Sequence, residues 1–340
     1  MSIACTFFAI LLAQQPAPTD AEFKEQIARL EAKEKADRLD ALSWLARHAK
    51  AKNAELAIPA LERCIRADPE APVRESAIVS RTDIALHLKK PCPLVIVEAM
   101  LDKDETVSQA ADLLAGRFKQ FEPGSLDVLL RVAQTDWGKY AGTVMHLAKF
   151  GTKEKRAMAA IESALKDKSF GVRHNAHCAR FQATDNLQEF LSYFIRVRDN
   201  PDRLLGDIDI TSEAGKREKS FCNLAQIGAA RLKAEWSETR ADDFAAALLK
   251  LLDDPSPVLR RGATQDIGAS AAKIDLSEFD PLNKKQPEAK EPPQKSKVAL
   301  KLAKLGVEAR LRELRDSDPD KTVRAAARSA LERWTLLFKE

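Results

Sequence analysis

Apolar residues along the chain recur at the spacing of three and four that a helix requires, in short runs that come in pairs. Phe244, Leu248, Leu251 and Leu252 fall on one helical face, as do Ile58, Leu61 and Ile65. A turn follows each run, and then a second run of the same period begins: Val172, Ala176 and Ala179; Leu259, Ala263 and Ile267; Val323, Ala327 and Leu331. The turns carry an aspartate and often a proline, which cannot continue the first helix. Asp68, Asp167, Asp254 and Asp318 each stand six residues before an arginine (Arg74, Arg173, Arg260, Arg324) and nine before an alanine (Ala77, Ala176, Ala263, Ala327). A degenerate copy has Asp102, Ser108 and Ala111, and weaker copies align at Arg38, Ala141 and Lys219.

With the arginine position as ruler, the gaps are 36, 34, 33 and 32 residues, then 46, 41 and 64. A period in this range predicts an all-α solenoid of about eight helical hairpins over residues 20–340, the longer gaps carrying insertions. Gly116, Gly151, Gly228 and Gly268 are expected at second-helix ends, where a residue free to take positive φ is useful. The helix "AARSALERWTLLFKE", with Trp334 and Phe338, is expected to close the stack.

Residues 57–77 ("AIPALERCIRADPEAPVRESA") and 248–268 ("LLKLLDDPSPVLRRGATQDIG") resemble HEAT repeats, including the subgroup called phycobilisome-lyase HEAT-like repeats. The resemblance extends over about residues 21–340 and implies a right-handed α-solenoid, first helices convex and second helices concave. It also implies that Asp68, Asp167, Asp254 and Asp318 form a structural ladder with Arg74, Arg173, Arg260 and Arg324 between neighbouring repeats. The physical reading agrees: an arginine near a helix start opposes the helix dipole and needs carboxylates or carbonyls beside it. A catalytic pair has no reason to recur at a fixed period.

Composition adds little to this. Twelve glycines and 6% aromatics in 340 residues favour helices over a β-rich fold, and a net charge of +4 is too weak to indicate a nucleic-acid or membrane partner. The apolar run 3–13 is too short to span a bilayer and fits a secretory signal, so residues 1–19 are read as a signal peptide and short linker. The expected location is then periplasmic or secreted in a bacterium; without a functional signal it is cytoplasmic. Residues 199–216 read as a loop insertion, and its Asp199, Asp202, Asp207 and Asp209 fit no EF-hand spacing. Residues 283–296, rich in Pro, Lys and Glu, read as a mobile loop.

For chemistry, His174, His177 and Cys178 form the best local cluster, sharing helical faces as soft metal ligands would. No second pair at ligand spacing completes a site, and His48, His87 and His146 lie in other second helices, so no metal and no cofactor is expected. Cys222 fills a small-residue slot of the core, while Cys64 and Cys92 sit at different heights on neighbouring first helices, too far apart to bridge. Phosphate loops, GxSxG turns and HExxH helices are missing. The expected function is a non-enzymatic interaction scaffold, with a protein or peptide partner held at exposed second-helix positions: Glu75, His174, His177, Arg261, Gln265 and Arg328. Two alternatives stand beside it. Arg260, Arg261, Arg324 and Arg328 would suit a nucleic-acid groove of the kind found in HEAT-like DNA glycosylases, although that family's catalytic aspartate and aromatic cage match no positions here. The repeat subgroup's name suggests a bilin lyase-like protein.

Overall fold

The computed structural model describes residues 18–135, 141–199, 211–271 and 294–338, which are helices joined by turns, with an isolated parallel bridge between Cys92 and Phe121. The chain divides into two compact units, the first ending at Ile161 and the second beginning at Glu162. The expected signal segment, apart from Pro18 and Thr19, lies outside the described residues.

The first unit begins with α1 (Asp20–Arg29) and α2 (Lys35–Arg47), followed by a short 3-10 turn (Ala54–Ala57). Then come α3 (Ile58–Ala67) and α4 (Ala71–His87), α5 (Leu94–Ala99) and α6 (Glu105–Ala115), and α7 (Ser125–Thr135) and α8 (Ala141–Ala148). The division between the units falls inside α9 (Lys155–Ala164). Within this unit consecutive helices form hairpins, α2, α4, α6 and α8 pack side by side in that order, and so do α3, α5 and α7. Starts are specified locally. Thr19 and Glu22 make a reciprocal capping box on α1, Asp104 caps α6, and prolines occupy the first turns of α3 and α4, where no N–H partner is lost. Leu42, Leu45, Leu61, Ile78, Ile84, Ile96 and Met100 are completely or almost completely buried. Each contributes about 1.5–3 kcal/mol of transfer free energy to the shared core.

The second unit contains α10 (Phe170–Thr184), α11 (Leu187–Asp199), α12 (Glu213–Thr239), α13 (Ala241–Leu252), α14 (Pro257–Ser270), α15 (Lys297–Lys304), α16 (Val307–Ser317) and α17 (Lys321–Phe338). One core runs through it, from Phe170 and Phe194 through Phe244 and Leu248 to Trp334, which stacks on Phe338 at 4.8 Å. First helices α11, α13 and α15 pack in sequence, and α14 packs along α17. Regular stacking breaks at the 27-residue α12: α14 leans on the first helix α11 instead. Gly262 permits this approach, since a Cβ there would lie 2.2 Å from Ile195 Cγ2. Gly268 does the same against α17, where a Cβ would lie 3.1 Å from Ala330 Cα.

Several sequence expectations change. The loop expected at 199–216 is helical at both described ends: Asp199 closes α11 and residues 213–216 open α12, capped by the Ser212 side chain on the Gly215 amide. The rest of that segment, with Asp202, Asp207 and Asp209, lies outside the described residues. Most of 283–296 also lies outside them, but its last residue is fixed: Ser296 is completely buried, caps α15 at Ala299 and bonds the Ser270 carbonyl. These two hydrogen bonds and complete burial are what hold Ser296 in place. Of the four glycines expected at helix ends, Gly151 takes positive φ, Gly116 ends α6 in ordinary helical geometry, and Gly228 and Gly268 lie inside helices.

These close approaches separate three glycines by their surroundings. Gly262→Ala should lower the urea-unfolding free energy by about 1–3 kcal/mol through overpacking, and Gly268→Ala should lower it less. Gly228→Ala, with nothing within 4 Å of the new methyl group, should raise it by up to about 1 kcal/mol.

Candidate functional site

The recurring arginine makes the same bonds wherever it occurs. Its Nη1 donates to two carbonyls of its own turn: Ala32 and Lys33 for Arg38, Asp68 and Pro69 for Arg74, Asp167 and Lys168 for Arg173, Asp254 and Pro255 for Arg260, Asp318 and Pro319 for Arg324. These carbonyls have no helical partner, so a single guanidinium satisfies both and holds the turn shut. The turn aspartate contributes as well. Asp68, Asp102, Asp167, Asp254 and Asp318 each accept the amide two residues on, at 2.8–2.9 Å.

The opposite edge of the guanidinium reaches the following repeat. Arg74 grips Asp102 through Nε and Nη2, both at 2.8 Å, and Arg260 grips Asp318 at 2.7 and 3.0 Å. Arg38 Nε lies 2.8 Å from Asp68 Oδ2. All six side chains are at least 87% buried, so the pairs are desolvated as well as bidentate. The bond from Arg260, partly offset by burial, holds the Asp318 carboxyl below its ordinary range, and the bond from Asp102 raises Arg74. The recurring carboxylates and guanidinia are therefore strung along each unit and do not converge on a common pocket.

Where the slot holds something else, other bonds take over. Ser108 is completely buried and bonds within its own helix. There α6 and α8 are joined by His146 Nε2 and Asp112 Oδ1 at 2.9 Å, and by Lys149 Nζ, which donates to the carbonyls of Ala115, Gly116 and Phe118 at the end of α6. At Lys219 no rung forms among the described residues; the neighbouring Glu218 accepts from Ser169 Oγ and the Gly171 amide, capping α10. A second ionic group links α11, α12 and α14: Asp266 receives Arg198 and Lys233, and Asp199 receives Arg198 and Arg261.

The six candidate contact residues fall into three groups. Gln265 on α14 and Arg328 on α17 are exposed, and Glu75 on α4 is half-buried. Arg261 is tied to Asp199 at 3.0 Å. His174 and His177 are built into an aromatic cluster: His174 Nδ1 lies 2.8 Å from the Tyr193 hydroxyl, and His177 stacks on the same ring at 3.8 Å. Burial pushes both imidazoles down to about 4, with His174 and nearby arginines adding to the effect on His177. Cys178 Sγ lies 3.7 Å from His174 Nε2, but burial pushes its thiol up to about 12. The Cys178 thiol is therefore held protonated and the His174 imidazole neutral at neutral pH. Among the described residues no three His, Cys, Asp or Glu side chains converge at metal-binding distance.

Sequence reasoning passed over the exposed apolar positions of the first unit. Ser43, Val79 and Leu113, each five residues after its slot, form a row across α2, α4 and α6, and all three are exposed, Leu113 by 75%. Arg47, Asp83 and Arg117 form the neighbouring row, Arg117 pairing with Asp83 at 3.2 Å. The slot offset was the available signal, because equivalent positions on stacked helices must share a surface.

No family model and no curated protein matches the chain. Among solved structures, a designed armadillo repeat protein is 17% identical, with 91% of this chain and 98% of that one covered, at a TM-score of 0.28. Another, in complex with the peptide (KR)4, is 16% identical, covering 92% and 99%, at 0.26. An engineered protein is 14% identical, covering 92% and 98%, at 0.36.

Two pH effects follow. Asp318 is depressed in the folded state, so it stabilises above the ordinary carboxylate range and that stabilisation is lost as pH falls through its folded value. Asp318→Asn should remove this part of the acid transition and cost about 2–4 kcal/mol at neutral pH by stranding Arg260. The histidines are depressed bases, so the unfolded chain takes up protons first and stability should fall between about pH 6.5 and 4. The double variant H174Q/H177Q should flatten melting temperature against pH over that window; an unchanged slope would show that the imidazoles are solvated.

Proposed function

We propose that the chain is a non-enzymatic interaction scaffold that holds a peptide or protein segment along its stacked second helices. The observation that supports this most is the paired rows of the first unit. An apolar row, Val79 and Leu113 with Ser43, runs beside a charged row, Arg47, Asp83 and Arg117, at equivalent heights on α2, α4 and α6. An extended segment crossing these helices would meet a charged contact on each helix and an apolar one beside it on α4 and α6, which suits alternating side chains. Acidic Glu75, Asp83 and Asp112 on the same helices favour a peptide over a polyphosphate backbone. In this reading residues 1–19 direct export, and the scaffold works in the periplasm or outside the cell.

Panning a displayed random-peptide library on the full chain tests the reading. Enriched peptides should lose affinity about tenfold or more on V79E/L113E, as expected for truncating central contacts. They should bind normally to L300E, a change on first helix α15, where Leu300 is 46% exposed. Peptides indifferent to the 79/113 pair, or failure to enrich any, would count against it.

A further inference from the structure

Arg324, at the start of α17, is prepared like the other slot arginines but holds no carboxylate among the described residues. Its Nη1 donates to the Asp318 and Pro319 carbonyls at 2.7 and 3.1 Å, matching the 2.8 and 3.0 Å that Arg260 makes to Asp254 and Pro255. In Arg74 and Arg260 this contact fixes the plane of the guanidinium so that Nε and Nη2 face the next repeat and take an aspartate from it. On Arg324 the same two donors have no partner among the described residues. One turn further along α17, Arg328 is exposed and also has no ion-pair partner among them.

We infer that Arg324, assisted by Arg328, is a docking site for an aspartate-bearing turn of another protein. The receptor is already oriented, so binding does not require the rotamer ordering that usually weakens surface arginine pairs. Two observations define the occupant. A second copy of this chain stacked end to end would present its first turn, where Ala32 replaces the aspartate that the later turns carry, so the residue that Arg74 and Arg260 grip is missing at that position. A further hairpin of the same kind could not pack closely either: the positions that are Thr264 and Gly268 beneath α17 are Arg328 and Glu332 on α17 itself, both exposed and long. A short acidic turn reaches Arg324 without covering them, and its flanking negative charge meets Arg328.

The test uses the full chain labelled with nitrogen-15 arginine. The Arg324 Nε–Hε resonance is assigned by its loss in R324Q. The probe is an acetylated, amidated tetrapeptide copying residues 318–321, which is the turn that Arg260 already grips. The expected result is a saturable shift of that resonance, absent when the first residue of the peptide is asparagine and weakened at least threefold in apparent affinity by R328A. The inference is overturned by no shift, by an equal shift with the asparagine peptide, or by equal or tighter binding of inorganic phosphate or a DNA oligonucleotide. A shift driven by raising the protein concentration alone, which would mark self-association, also overturns it.

Discussion

An arginine placed in the first turn of a helix sits at the positive end of the helix dipole and is unfavourable there unless it is surrounded by acceptors. This chain meets that constraint in the same way each time. One nitrogen closes the preceding turn by binding its two carbonyls, and in Arg38, Arg74 and Arg260 the other edge takes the aspartate of the next turn. The bond set ties a local conformation to a long-range contact 28 residues away in Arg74 and 58 residues away in Arg260. Because the turn and the neighbour are fixed by the same planar group, the spacing of repeats can vary in length while their register stays constant. The insertion before α16 illustrates this: the sequence gap doubles, yet the Arg260 rung has the geometry of the Arg74 rung.

The ionic groups that a reader of the sequence would suspect of chemistry are mostly consumed by this kind of joinery. Asp199, Arg261, Arg198, Asp266 and Lys233 neutralise one another between three helices, and Asp112 with His146 fastens α6 to α8 where the rung is missing. Buried charges persist only when paired, so residues that look like a site on paper serve here as ties between helices. The His174–Tyr193–His177 cluster follows the same rule with aromatic packing in place of charge: burial keeps both imidazoles neutral, and the Tyr193 hydroxyl and ring occupy them.

The helical hairpins and their order were legible because apolar period and the aspartate–arginine–alanine spacing are local properties of the chain. The buried faces of α3, α13 and α17 contain the residues that this spacing predicts. What the spacing could not give was direction and partnership. Nothing local says that the Arg74 carboxylate comes from Asp102 rather than Asp68, which is nearer in sequence and supplies its main-chain oxygen instead. Nor does a local pattern show that Gly262 and Gly268 serve interhelical approach, since a helix end and a close packing contact ask for the same residue for different reasons. The lean of α14 onto α11 depends on the length of α12, which the sequence reading shortened by treating residues 213–216 as loop.

The exposed rows that we propose as contacts were the least legible part, and the reason is built into a repeat. Positions that make the stack must satisfy the same neighbours in every copy, so they repeat and announce themselves. Positions that meet a partner face solvent in every copy and are released from that demand, so the rows Ser43, Val79, Leu113 and Arg47, Asp83, Arg117 share a height and no side-chain type. A recognition surface on such a scaffold therefore resides in what the period leaves unspecified. It becomes visible only when the slots are aligned in space and the exposed offsets are read across helices.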